Sequence, residues 1–123
     1  MTIEGLQTIC NSFAGVTTDI KWGDHLCFNV GSKMFLVTSP DSVPHTASFK
    51  AADEDFEKLI QREGFIPAPY MAHYKWVYAD DINRLNKKDW EKYLKLSYQL
   101  VHDKLTAKVR RDIAAQTMIG RRL

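Results

Sequence analysis

The sequence has few cysteines and no long apolar run, and both absences exclude classes of protein. Two cysteines in 123 residues are too few for a disulfide framework, and their separation matches no zinc-binding pattern. No apolar segment approaches the ~20 residues that a membrane-spanning helix needs. The N-terminal segment carries Glu4 and no basic stretch, which is not typical of a signal peptide. We therefore expect a cytoplasmic protein in which Cys10 and Cys27 are reduced and buried.

Recognisable catalytic and metal-binding motifs are also absent from the sequence. It contains no glycine-rich phosphate loop, no G-x-S-x-G, no paired carboxylates in a familiar context, and no histidines at ligand spacing. The acids between Asp53 and Glu57 are an alternative cation site, but they stand at the predicted start of a helix. The helix dipole stabilises each acidic residue at such a position by about 0.3–1 kcal/mol, which explains these acids without a bound cation. We therefore expect no enzymatic activity, no cofactor and no metal.

The net charge of +2 is small, but its distribution is uneven. Residues 108–123 hold five Lys or Arg and one Asp, which leaves twelve basic and fourteen acidic residues in 1–107. We predict a single domain over 1–107 and a basic C-terminal extension over 108–123. The extension is either a helical continuation or a frayed tail.

Alternating apolar residues predict about five β-strands. The segments are "DIKW" (19–22), "HLCFNV" (25–30), "KMFLVTS" (33–39), "TASFKA" (46–51) and 74–79. Gly31-Ser32 joins two of them as a two-residue hairpin turn. Pro67 and Pro69 exclude a central strand and favour a turn or distorted helical turn. Each tryptophan falls on an apolar stripe of its strand or helix, so we interpret Trp22, Trp76 and Trp90 as core residues rather than stacking platforms.

Apolar residues at helical spacing predict three helices. The first covers residues 3–14 after Thr2, the second follows Asp53 as its N-cap, and the longest follows the N-cap Asn86. Strands in succession with helices around them predict an α+β fold. We expect an α-β sandwich with an antiparallel sheet and helices on one face.

Several of these segments together resemble the MmcQ/YjbR family of small bacterial proteins. They are "GVTTDIKWGDHLCFNVGSKMFLVTS", "SFK" and "GFIPAPYMAHYKWVY", and the similarity extends over about residues 3–105. The most specific parts are Trp22-Gly23, Lys33-Met34-Phe35, Phe49-Lys50, and Pro67-Ala68-Pro69-Tyr70 to Trp76. The chain departs from common members at Ala52 and in its basic extension.

The resemblance implies a CyaY-like fold, as in the bacterial frataxin group, and DNA binding through a double-wing motif. Phosphate binding needs clustered cations. The candidate nucleic-acid-binding residues are Lys21, His25, Lys33, Lys50, His73, Lys75, Arg110, Arg111, Arg121 and Arg122. They would act through a basic sheet face or through hairpin tips. The alternatives are that the lysines solvate a sheet face, or that the chain is a non-catalytic protein-interaction or ligand-responsive adaptor domain.

Overall fold

The computed structural model describes the backbone of residues 1–122 and the side chains of residues 1–116. Within these residues it contains four α-helices, six β-strands and two short 3-10 helices, at Ala72–Tyr74 and Ile82–Arg84. In chain order the larger elements are α1 (Ile3–Asn11), β1 (Val16–Lys21), β2 (His25–Val30), β3 (Lys33–Thr38), β4 (Ala47–Lys50), α2 (Asp53–Leu59), β5 (Phe65–Pro67), β6 (Trp76–Ala79), α3 (Lys87–His102) and α4 (Ala107–Arg122).

The strands form one open antiparallel sheet in the order β1-β2-β3-β4-β6-β5. The α+β sandwich predicted from the sequence is therefore confirmed, with one strand more than the five expected. The additional strand, β5, contains Pro67 and lies at the edge of the sheet beside β6. An edge position is compatible with Pro67 because a proline has no N–H to donate to a further strand.

The hydrophobic core lies between the sheet and the helices. Phe28, Leu36, Phe49 and Val77 follow one another across β2, β3, β4 and β6, and all four are fully buried. The pairing of β2 with β3 shifts after Phe28. This β-bulge places two residues of β3 opposite one of β2, so that Leu36 and its neighbour Phe35 both enter the core.

The predicted turn and two of the three predicted caps are confirmed. Gly31 and Ser32 have φ angles of 55° and 65°, as a two-residue type I′ hairpin requires. The side chains of Thr2 and Asn86 accept hydrogen bonds at the starts of α1 and α3. The third prediction is wrong, since α2 begins after Ala52 and Asp53 is already helical.

The C-terminal extension forms helix α4 after a turn at residues 103–106. Val109 and Ile113 contact the domain, and Ile113 is buried in the core beside Gly15. The start of α4 is therefore packed on the sheet-and-helix body. In the described part of the chain, no helix is long and apolar enough to cross a membrane.

Candidate functional site

One face of the sheet lies away from the helices, and in its central row Cys27 is buried while Val37, Ser48 and Tyr78 are partly exposed. Cys27, Val37, Ser48 and Tyr78 pair across β2, β3, β4 and β6 on this face. Because side chains alternate along a strand, these residues project away from the row formed by Phe28, Leu36, Phe49 and Val77, which faces α3. This side of the sheet is called the open face below.

A groove of about 510 Å³ runs along the open face. We call it the aromatic groove because two exposed aromatic side chains, Trp22 and Tyr70, stand on it. Its walls also include thioether and small apolar side chains, and among residues 1–116 no acidic side chain lines it. The lining residues are Trp22, His25, Met34, Val37, Ser48, Ala68, Pro69, Tyr70 and Met71.

Trp22 is held at the groove by the tight turn between β1 and β2. It has a φ of 54°, and Gly23 follows with a φ of 84°. The left-handed conformation costs a non-glycine residue about 1–3 kcal/mol. Its ring is 67% exposed and meets the ring of His25 edge-on, with centroids 5.7 Å apart. His25 Nδ1 lies 2.8 Å from Asp24 Oδ1.

Tyr70 reaches the opposite side of the groove from the turn that follows β5. Its φ is 64° and its side chain is fully exposed. The turn is fixed to the sheet because the N–H of Ala68 donates to the carbonyl of Trp76 at 2.9 Å. The N–H of Met71 donates to the carbonyl of Ala68 at 3.1 Å. Both exposed aromatic side chains therefore stand on defined backbone turns.

A second feature lies at the end of the sheet where β3 and β6 begin and β4 ends. Two adjoining hollows, of about 400 and 380 Å³, share Lys50, Tyr74 and Lys104. Lys33 and Trp76 line the first, and His73 and Lys75 line the second. We call the pair the basic cleft. The turn between α3 and α4 completes it through Lys104.

The charges in the basic cleft are close together. Partial burial lowers the pKa of Lys50, and its contact with the ammonium group of Lys104 lowers it further. Among the described side chains, no carboxylate forms an ion pair with Lys50 or Lys104. Asp53 lines the second hollow at its edge. Two cations thus face one cleft without an anionic partner at contact distance.

The cleft brings together four of the residues that the sequence singles out. Lys33, Lys50, His73 and Lys75 all line it. Lys75 differs from the prediction, because it is in a left-handed turn before β6 rather than in a strand. Its ammonium group lies 5.0 Å from the centre of the Phe56 ring, a cation–π contact.

The other candidates lie elsewhere. His25 is in the aromatic groove, and Lys21 lines a polar hollow beside Asp19. Arg110 and Arg111 are exposed on α4. The side chains of Arg121 and Arg122 lie outside the described residues.

Sequence reasoning missed Trp22, Tyr70 and Lys104 as site residues. The interpretation of Trp22 as a core residue is wrong, whereas Trp76 and Trp90 are buried as predicted. The alternation of "DIKW" ends at Lys21, where the chain leaves β1. The glycine after Trp22 is the signal that marks this turn. Lys104 has no such signal, because only the fold brings it to Lys50.

The thiols contribute no reactive group to either feature. Cys10 and Cys27 are fully buried and free, as predicted. Burial raises the pKa of Cys10 to about 12 and also raises the pKa of Cys27. The Cys27 thiol contacts the backbone carbonyl of His25 rather than its ring. In the described part of the chain, no three His, Cys, Asp or Glu side chains are grouped to hold a metal ion.

Comparisons with known proteins agree with this architecture. Protein DR2400 of Deinococcus radiodurans, described with the domain DUF419, is similar in structure, with a TM-score of 0.82 and 23% identity over 92% of this chain and 88% of that one. A Pseudomonas syringae protein is similar with a TM-score of 0.66 and 18% identity, over 82% of this chain and 99% of that one. At these identities the likeness concerns the fold.

The sequence comparisons give the family. No curated protein matches the chain. The family model YjbR matches residues 11–100, which run from the end of α1 into α3. They include all the residues that line the aromatic groove and most of those that line the basic cleft. The chain therefore belongs to the YjbR family.

Proposed function

We propose that this domain binds DNA and that the basic cleft holds backbone phosphates. The observation that carries the proposal is the placement of Lys33, Lys50 and Lys104 around one cleft. His73 and Lys75 line the part of it that adjoins α2. Clustered cations on one surface are what phosphate binding requires.

The electrostatics of Lys50 and Lys104 support an anionic ligand. Two ammonium groups in contact repel each other, and partial burial weakens their hydration, so the charged form of Lys50 is disfavoured. A phosphate oxygen between them would relieve the repulsion and favour the charged form. Phosphate binding is therefore expected to raise the lowered pKa of Lys50 again, and to weaken as the pH rises through that lowered pKa.

The geometry favours the cleft over a freely projecting hairpin tip. A Cβ atom added to Gly31 would lie 2.6 Å from Leu105 and 3.0 Å from Val109. The tip of the β2–β3 hairpin is thus packed against the α3–α4 region. In the proposal Lys33 contacts DNA from the flank of this hairpin, and Arg110 and Arg111 add phosphate contacts from α4.

The experiment is a titration of labelled duplex and single-stranded DNA at about 50 and 200 mM salt. The test variant is Lys50→Gln with Lys104→Gln, and the matched control is Lys88→Gln, an exposed lysine at the other end of α3. Each phosphate-binding lysine that is removed should lower the slope of log affinity against log salt by about 1. The control should keep the original slope.

Absence of DNA binding at low salt would contradict the proposal. Binding that persists unchanged in the double variant would remove the cleft as the site. To separate the extension from the cleft we would replace Arg110 and Arg111 by glutamine rather than delete α4, because Ile113 is part of the core.

The second candidate is a non-catalytic protein-interaction domain. It is favoured by the exposed side chains Trp22 and Tyr70 on the aromatic groove, and by exposed Ile66, which pairs with Tyr78 of the open-face row. An apolar protein interface responds little to salt, whereas phosphate contacts weaken steeply. The salt series therefore distinguishes the two candidates. Both candidate functions are compatible with the cytoplasmic location expected from the sequence. That expectation rests on the free thiols, which persist in reducing compartments.

A further inference from the structure

We infer that the aromatic groove stacks unpaired bases, so that the nucleic acid bound by this domain is single-stranded. This inference rests on the proposed function, because the phosphates of the same strand would occupy the basic cleft. In this inference the bases bind on the open face of the sheet, and the phosphate backbone of the strand binds at the end of the sheet.

The first support is the way in which Trp22 and Tyr70 are presented. Both are large, exposed and set in left-handed turns, at φ angles of 54° and 64°. Aromatic residues rarely adopt this conformation, and strained positions cluster where a ligand is bound. The contact of Trp22 with His25 is T-shaped, and Trp22 stays 67% exposed despite it. Base stacking needs an exposed aromatic side chain of this kind.

The second support is the continuity of the groove with the cleft. Ser48 lines the groove, and Lys50, two residues further along β4, lines the cleft. Two residues of a strand span about 7 Å. On β3, Met34 lines the groove and the preceding residue Lys33 lines the cleft, although adjacent strand residues project to opposite faces. The carbonyl of Met71, on the groove, accepts hydrogen bonds from the N–H groups of Tyr74 and Trp76, on the cleft.

The chemistry of the two features selects the ligand. A ligand that fills both must present flat apolar faces and, within a few ångströms, a chain of negative charge. A single strand of nucleic acid has this combination, because its bases are free of a partner strand. In a duplex the base faces are stacked inside the helix. An apolar peptide would fit the groove but would leave the lysines of the cleft without an anion.

The experiment compares three probes of equal phosphate number at low salt. They are a labelled strand of about 15 thymidines, an abasic strand of the same length, and a duplex. The strand is long enough to cover both the aromatic groove and the basic cleft. The variants are Trp22→Ala and Tyr70→Ala. The matched control is Ile20→Ala, which is 58% exposed but alternates to the other side of β1. Circular dichroism shows that each variant is folded.

We expect the thymidine strand to bind most tightly. Loss of one stacking ring should weaken its binding roughly 5- to 150-fold, while Ile20→Ala binds as the parent does. The abasic strand should bind weakly and be indifferent to Trp22→Ala. Tryptophan emission gives an independent readout, because Trp76 and Trp90 are buried. Thymidine binding should quench the emission of the parent protein, and this quenching should be lost in Trp22→Phe.

The outcomes separate the inference from the proposed function. If no probe binds at low salt, DNA binding itself fails, and the inference fails with it. If all three probes bind equally and Trp22→Ala changes nothing, phosphate binding stands and base stacking is overturned. A duplex bound more tightly than the thymidine strand overturns the inference as well.

Discussion

The two faces of the sheet place tryptophans in opposite environments. On the helix-covered side, Trp90 is fully buried, its indole N–H donates to the carbonyl of Ile82 at 2.8 Å, and its ring meets Phe49 edge-on. On the open face, Trp22 is 67% exposed in a left-handed turn. Tryptophan thus stabilises the fold on the helix-covered side and is accessible to a binding partner on the open face.

The comparison shows how a covering helix changes the contribution of apolar side chains on a sheet face to stability. Helix α3 seals the Phe28 row, so apolar side chains there are removed from water and stabilise the fold. The open face has no such layer of α3 over it, and its exposed aromatic side chains Trp22 and Tyr70 contribute little to folding. Exposed aromatic residues that contribute little to stability are candidates for binding.

The largest effect expected from this comparison is on stability. Trp90→Ala should lower the free energy of unfolding by about 3–5 kcal/mol, because it removes a fully buried ring and leaves a cavity. Trp22→Ala should change it by less than about 1 kcal/mol. Urea denaturation of both variants measures the difference. An equal loss of unfolding free energy in the two variants would mean that Trp22 also stabilises the core. It would contradict the proposed difference between the two faces.

A smaller effect is expected from two serines on opposite sides of the sheet. Ser97 is fully buried, accepts the backbone N–H of Lys50 at 3.0 Å and donates to the carbonyl of Phe35 at 2.6 Å. Ser97→Ala leaves both backbone groups without this partner and should cost about 1–3 kcal/mol. Ser48→Ala, half-buried on the open face, should cost less than about 0.5 kcal/mol. A neutral Ser97→Ala would show that the hydroxyl does not join β3 to β4.

The smallest effect concerns the buried thiol of α1. Folding raises the pKa of Cys10 from 9.0 to about 12, so the folded protein holds a proton that the unfolded chain releases. This contribution is complete below pH 9.0 and is lost as the pH rises towards 12. At about pH 10 the loss is about 1 kcal/mol.

The measurement compares the parent protein with Cys10→Ala at about pH 8 and about pH 10. The difference in their free energies of unfolding should narrow at the higher pH. Ile9→Val is the matched control, because Ile9 is also buried on α1 and has no titratable group. A constant difference for Cys10→Ala would mean that the thiol ionises as easily in the folded protein as in the unfolded chain.

Local patterns predicted most of the fold. The alternation of residues 25–30 places Phe28 in the core, and Gly31-Ser32 closes the hairpin as expected. Asn86 begins α3 through its side chain. These features succeed because they depend on the side-chain period of a strand or on hydrogen bonds within a few residues.

The candidate site was less accessible to sequence reasoning. Lys33, Lys50 and His73 were singled out by type, but their meeting with Lys104 depends on contacts between distant parts of the chain. Trp22 was misplaced because apolar alternation does not reveal where a strand stops. Strand β5 was missed because it has only three residues and ends in Pro67, which only an edge position accommodates.

The sequence by itself determined the elements, their caps and the residues that repeat on one side of each helix or strand. It did so because those features follow from backbone geometry and neighbouring side chains. Only the tertiary structure decided which face of the sheet the helices cover, and it alone brought the lysines of three distant segments to one cleft. The physical reason is that both outcomes depend on packing between segments far apart in the chain, which no local pattern encodes.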